Sequence, residues 1–97
     1  MAKTKVKLRK CDVVNHLKTP EDELAYLNAA LEDDDPVLIA TVLGDIARAH
    51  GMTKVAEETG LSRESLYKSL SPEGNPEFAT VLKVLHALGF KLDADFA

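Results

Sequence analysis

Met52-Thr53-Lys54-Val55-Ala56-Glu57-Glu58-Thr59-Gly60-Leu61-Ser62-Arg63-Glu64-Ser65-Leu66-Tyr67-Lys68-Ser69-Leu70 is the stretch that decides the fold. It reads as two short helices about a tight turn, one over residues 53–59 and one over residues 63–70. Gly60 stops the first and permits the positive φ of such a turn. Ser62 caps the second. Ala56 is small where the second helix passes close. Val55 and Leu61 point inward, and Leu66 and Leu70 hold the second helix to the core. This is the spacing of a helix-turn-helix.

The flanking punctuation is equally local. Thr19-Pro20-Glu21-Asp22-Glu23 supplies an N-cap, a proline in the first turn and acids that suit the helix macrodipole. The leader helix it opens carries Leu24, Leu27 and Leu31 at helical spacing. Asp33-Asp34-Asp35-Pro36 ends that helix and caps the next, whose apolar stripe is Leu38, Ile39, Val42, Leu43 and Ile46. His50-Gly51 stops it. Beyond the helix-turn-helix, residues 71–76 form a loop by composition. Asn75-Pro76 opens a last helix with Phe78, Val81, Leu82, Val84 and Leu85 as its apolar face, closed by Gly89. Phe90-Lys91-Leu92-Asp93 alternates apolar and polar and predicts a short final strand. The domain organisation is thus a basic tail over 1–18 and one domain over 19–97. The domain comprises a leader helix (19–33), a helix-turn-helix core (36–89) and an extension (90–97).

The 97 residues carry a formal charge of −4 and are 45% hydrophobic, the composition of an ordinary globular domain. That charge is unevenly placed. Residues 1–18 hold Lys3, Lys5, Lys7, Arg9, Lys10 and Lys18 against Asp12, a net of +5, and the remainder carries −9. Residues 19–47 contain no Lys or Arg. The two blocks suit different partners, a polyanion and a basic protein. The overall charge does not exclude DNA, because a local patch carries the attraction to phosphate. No apolar run approaches the roughly 20 residues of a membrane span, and a single cysteine, Cys11, excludes an internal disulfide. A cytoplasmic protein with no membrane association and no cofactor is expected.

The run Ala56-Glu57-Glu58-Thr59-Gly60-Leu61-Ser62-Arg63-Glu64-Ser65-Leu66-Tyr67-Lys68-Ser69-Leu70-Ser71-Pro72-Glu73-Gly74-Asn75-Pro76 and the run Leu82-Lys83-Val84-Leu85-His86-Ala87-Leu88-Gly89 resemble the antidote proteins of bacterial addiction modules, of the HigA-like antitoxin type. The leader Asp12-Val13-Val14-Asn15-His16-Leu17-Lys18-Thr19 and the helix Ala25 to Pro36 are similar to the same branch. The resemblance covers residues 12–93. It implies an all-α, five-helix lambda-repressor-like (XRE-type) domain over about residues 36–89, preceded by the leader helix. The family's pattern usually has an aliphatic residue at the last interior position of the second helix, where this chain has Ser69; Leu70 would take the load. The resemblance further implies two activities: neutralising a small toxin, often an mRNA-cleaving RelE-like nuclease, and repressing the chain's own operon.

On that reading the helix opened by Ser62 enters the major groove of double-stranded operator DNA. Arg63 suits a bidentate contact to guanine, and Glu64 suits either cytosine N4 or an ion pair with Lys68. Tyr67 either stacks on DNA or packs on the loop. Lys68, Thr53 and Lys54 suit phosphate, which positions without specifying. Ser71 and Asn75 lie in the loop that, in this family, runs near the DNA backbone. The acidic residues Glu21, Asp22, Glu32, Asp33, Asp34 and Asp35 complement a basic toxin; a merely solvated acidic helix is the plain alternative. Lys3–Lys10 could instead add a strand to a partner's sheet. Operators are usually read by dimers, so a homodimer is expected, with Phe90, Leu92 and Phe96 as its contact.

No enzyme motif appears. His16, His50 and His86 stand apart in the sequence, without metal spacing, a phosphate loop or a nucleophile motif. Two other readings remain: a solitary XRE-family repressor of phage or plasmid type, and a protein-interaction module that no longer binds DNA.

Overall fold

The computed structural model describes residues 17–97. Five α-helices follow in order: α1 (Pro20–Glu32), α2 (Pro36–His50), α3 (Met52–Thr59), α4 (Arg63–Ser69) and α5 (Phe78–Ala87). Their starts obey the cap chemistry. The Asp22 N–H donates to Thr19 Oγ1 at 3.1 Å while the Thr19 N–H donates to Asp22 Oδ2, a reciprocal capping box. The Val37 N–H donates to Asp35 Oδ1 at 3.0 Å, and the Ser65 N–H donates to Ser62 Oγ at 3.0 Å. The stops are glycines at positive φ: Gly51 (φ 104°), Gly60 (φ 74°) and Gly89 (φ 85°).

The core is a contiguous apolar cluster. Leu43, Ile46, Ala47, Leu66 and Val84 are fully enclosed, with Val42, Val55, Leu70, Leu27 and Leu85 nearly so. Every helix contributes, and Leu17 joins the cluster ahead of α1. Helix α2 is central, in contact with α1, α3 and α4. Burying one Leu or Val side chain contributes roughly 1.5–3 kcal/mol, so this cluster is the main stabilising element.

Three expectations are corrected. Between residues 36 and 89 there are four helices, not the five that the resemblance implies, and 71–77 is the loop that its composition predicts. Gly74 in that loop sits against the carbonyls of Lys68 and Ser69, where any Cβ would collide. Helix α5 does not open at Asn75-Pro76. Its N-cap is Glu77, without a side-chain cap bond, and Pro76 lies in the loop, facing α2 across an open groove. The final strand is absent: no strand occurs among the described residues, so residues 90–93 have no edge to pair with. The Phe90 N–H donates to Leu85 O at 2.8 Å and the Gly89 N–H to His86 O, a Schellman closure of α5 that folds Phe90 back onto the core.

The apolar face of α1 is rotated from expectation, while that of α5 holds at Val81, Leu82, Val84 and Leu85 and fails only at its first residue. On α1 the buried residues are Glu23, Leu27 and Ala30, and Leu24 is 45% exposed. On α5, Phe78 is 65% exposed.

Glu23 is buried because α2 supplies its partner: His50 Nε2 lies 2.8 Å from Glu23 Oε1. A carboxylate only accepts, so the Nε2–H donates. One turn on, Tyr26 Oη donates to Asp45 Oδ2 at 2.8 Å, and Arg48 Nη2 donates to Asp45 Oδ1 at 2.7 Å. Asp45 is 4% exposed with both oxygens occupied, the condition under which a buried charge is tolerated. The pairings 23 with 50 and 26 with 45 run in opposite chain directions, so α1 and α2 form an antiparallel hairpin about residues 33–35.

Burial, then the hydrogen bond to Asp45 and that carboxylate's charge, push the Tyr26 phenol well above its ordinary value of 10.0, against the opposing pull of Arg48. The raised value favours the neutral phenol in the folded state, so its contribution is whole below pH 10 and is lost as pH rises beyond it. Denaturant midpoints measured from pH 8 upward should fall above about pH 10, and less steeply in Tyr26→Phe. Parallel profiles would show that Tyr26 does not drive the loss.

Candidate functional site

The face presented by α4 follows from how the helix is held. Leu66 and Leu70 are fully buried on its inner side. At its start the turn Gly60–Leu61–Ser62 is tied back to α3: the Gly60 N–H donates to Ala56 O at 2.9 Å, and the Leu61 N–H donates to Thr59 Oγ1 at 3.3 Å. At its end Leu70 meets α2 at Gly44, where a Cβ would collide with the Leu70 carbonyl oxygen and press on its carbonyl carbon and Cβ. Glycine inside a helix costs about 1 kcal/mol relative to alanine, and here it allows α4 to seat directly on α2.

With its inner side fixed, α4 turns Arg63, Glu64, Tyr67 and Lys68 outward, all exposed. No ion pair joins Glu64 to Lys68, so both remain available to a partner. Tyr67 is 40% exposed. Ser62 is exposed but already spends its oxygen on the Ser65 N–H. Thr53 and Lys54 are exposed in the first turn of α3, with Ala56 partly buried behind them. Ser71 Oγ donates to Lys68 O at 2.9 Å, which ties the loop to the end of α4. Ser69 Oγ donates to Ser65 O at 2.9 Å, so the small residue at this position satisfies its hydroxyl within the helix while Leu70 fills the core. Asn75 is exposed and lines an apolar groove against α2.

The acidic residues do not converge. Glu21 and Asp22 begin α1, whereas Glu32 ends it and Asp33, Asp34 and Asp35 follow, so a helix of 13 residues separates the two groups by roughly 20 Å. All six are exposed. Two of them also hold structure, Asp22 in the capping box and Asp35 as the cap of α2. Asp34 adopts φ 54° in the turn between the helices. The tail residues Lys3, Lys5, Lys7, Arg9 and Lys10, with Cys11 and His16, lie outside the described residues.

Sequence reasoning missed Gly44, Gly74 and the set Glu23, His50, Tyr26 and Asp45, which position α4 and α1. A glycine inside an otherwise apolar helical stripe was the one available signal for Gly44. No group of three or more His, Cys, Asp or Glu side chains among the described residues could hold a metal ion. No helix among them is long and apolar enough to cross a membrane.

A family model described as "probable addiction module antidote protein" matches residues 7–96. The chain belongs to this family of addiction module antidotes. An uncharacterized protein of Haemophilus influenzae is 50% identical to it over 84 residues, covering 87% of each chain. No solved structure matches it. Membership carries two consequences for the antidote. The family implies a toxin as partner, and an antidote is not an enzyme.

Proposed function

We propose that the chain is the DNA-binding antitoxin of a type II toxin–antitoxin module of HigA-like kind. On this reading it neutralises a small RelE/HigB-like, mRNA-cleaving toxin by direct binding and represses its own operon as a lambda-repressor-like (XRE-type) homodimer. The observation that carries the DNA half is α4 itself. It is pinned by Leu66 and Leu70 and leaves Arg63, Glu64, Tyr67 and Lys68 unpaired on its outer side. A helix presented this way, after a three-residue turn through an αL glycine, suits insertion in a major groove. Arg63 reads guanine O6 and N7, with Glu64 and Tyr67 beside it. Lys68, Lys54, Thr53, Ser71 and Asn75 hold phosphates, and Ser62 serves as cap and contact. Leu92 and Phe96 are exposed and available to a second copy, whereas Phe90 is engaged by the core.

The acidic residues Glu21, Asp22, Glu32, Asp33, Asp34 and Asp35 supply the toxin half with an attractive field for a cationic protein, which raises the association rate more than it slows dissociation. Expression of the native genomic fragment with a tag on this chain tests the pairing. A small basic protein should co-elute in stoichiometric amount through high salt. A chain that elutes alone yet retards its promoter would make a solitary XRE-family repressor the better account.

The contacts on α4 separate by their salt dependence. Arg63→Ala should cost about 1–3 kcal/mol on the operator and little on scrambled DNA. Lys68→Ala should weaken both alike and reduce the slope of log K against log salt by about 1. Fluorescence anisotropy over a salt series reads both. An Arg63→Ala protein with undiminished operator preference removes Arg63 as reader.

A further inference from the structure

Beside the loop that leads into α5 lies an apolar groove of about 420 Å³, in whose lining Asn75 is the one residue already proposed as a DNA contact. Pro36, Val37 and Ala40 of α2 form one wall, and Pro76 and Val81 form the other. Val37 is 49% exposed at its mouth. Phe78, one helical turn before Val81, is 65% exposed. A second hollow of about 110 Å³ shares Ile39, Leu43 and Val81 with it and reaches the exposed Leu24 and Leu92. The apolar surface therefore continues across the molecule, a feature that marks an interaction site more often than a bare monomer surface.

The charges around the groove select its occupant. Asp34 and Asp35 immediately precede Pro36, Glu73 precedes Gly74, and Glu77 follows Pro76; all four are exposed. No Lys or Arg occurs from residue 19 to residue 47, and Lys91, at the far end of the smaller hollow beside Asp93, is the one cation among the described residues that lines either space. A second copy would set acids against acids, and the same acids disfavour a polyanion within the groove itself, so a phosphate held by Asn75 would lie outside its mouth. A cationic protein that inserts an apolar side chain between flanking Lys or Arg residues satisfies both the apolar floor and the neighbouring acids. We infer that this groove is where the antidote holds its toxin, and that the toxin is such a cationic protein. The inference rests on the antitoxin reading and places the toxin contact on α2 and the loop before α5, with the acids of α1 acting only on encounter.

The test uses the full tagged chain and the small protein that co-elutes with it from the native genomic fragment, identified by mass and then purified for binding kinetics. Val37→Gln together with Phe78→Gln should raise the dissociation rate roughly tenfold or more, with the fold unchanged by circular dichroism. Glu73→Gln with Glu77→Gln should slow association and flatten its salt dependence. Glu21→Gln with Glu32→Gln should change association alone. Unchanged dissociation in the Val37/Phe78 protein overturns the groove while leaving the toxin pairing intact. Wild type that is dimeric, with monomeric Val37/Phe78 variants, also overturns it, because the groove would then join two copies. Failure of the wild-type chain to retain any basic protein removes the antitoxin reading and the inference with it.

Discussion

Gly44→Ala lowers the melting temperature by about 10–20 °C, the equivalent of roughly 2–4 kcal/mol in a domain of this size. The sign is the informative part. In a helix whose glycine faces open space, the same change raises stability by about 1 kcal/mol, since alanine is the better helix former. At Gly44 the new methyl meets the carbonyl oxygen of Leu70, with the Leu70 carbonyl carbon and Cβ each 3.3 Å away. That obstacle is backbone at the end of α4, not the movable tip of a side chain. Relief requires α4 to lift from α2 and draw Leu70 and Leu66 out of the core. Any DNA affinity carried by α4 should fall with it. Thermal melts of the two proteins decide the matter, and a higher melting temperature in the alanine protein would show that α4 does not seat on Gly44.

Asp45→Ala costs roughly 2–4 kcal/mol, for a different reason. Asp45 accepts from Tyr26 Oη at 2.8 Å and from Arg48 Nη2 at 2.7 Å. Its removal strands a part-buried phenol and a guanidinium. Arg48 is 22% exposed and can turn to water, which keeps the cost below that of a fully enclosed pair. Tyr26→Phe alone should cost only about 0.5–1.5 kcal/mol, because the phenol is lost together with its need for a partner. The double variant should be less destabilised than the sum of the singles, because the two changes remove one shared interaction. Urea melts of the four proteins measure that coupling. Strict additivity would mean that the Tyr26–Asp45 bond does not fasten α1 to α2.

These two residues also mark where the sequence stops being legible. The caps at Thr19, Asp35 and Ser62 and the positive-φ stops at Gly51, Gly60 and Gly89 were readable because each is decided within four residues of backbone. The inward positions of Val55, Leu66 and Leu70 followed from the same short-range spacing. The face of α1 did not. A stripe of Leu24, Leu27 and Leu31 was a sound helical pattern, yet α2 presents His50 to Glu23 and Asp45 to Tyr26, and those partners turn Glu23 inward and Leu24 outward. Residues 90–93 alternate like a strand, but a strand needs an edge, and the chain instead spends the Phe90 N–H on closing α5. Asn75-Pro76 is good cap chemistry, yet the loop runs on to Glu77, with Pro76 lining the groove that faces α2. For the face of α1 the deciding partner is distant in the chain.

The outer side of α4 was legible as a residue pattern, because burial of Leu66 and Leu70 fixes where Arg63, Glu64, Tyr67 and Lys68 point. The groove between α2 and the loop before α5 was not, since it exists only where Val37 and Ala40 meet Pro76 and Val81. The two surfaces differ in chemistry as their proposed partners do. One offers Arg63 and Lys68 to an anion, and the other offers to a cation an apolar floor whose lining residues have exposed acids as chain neighbours.

The measurement that bears most directly on the account is the affinity of the purified chain for its own promoter fragment against a scrambled duplex of equal length, at fixed physiological salt. The account predicts operator binding at least about a thousandfold tighter than binding to the scrambled duplex. Equal affinity for both duplexes, or no retardation of either even at low salt, would contradict α4 as a DNA-reading helix and leave the chain as an antidote that acts on its toxin alone.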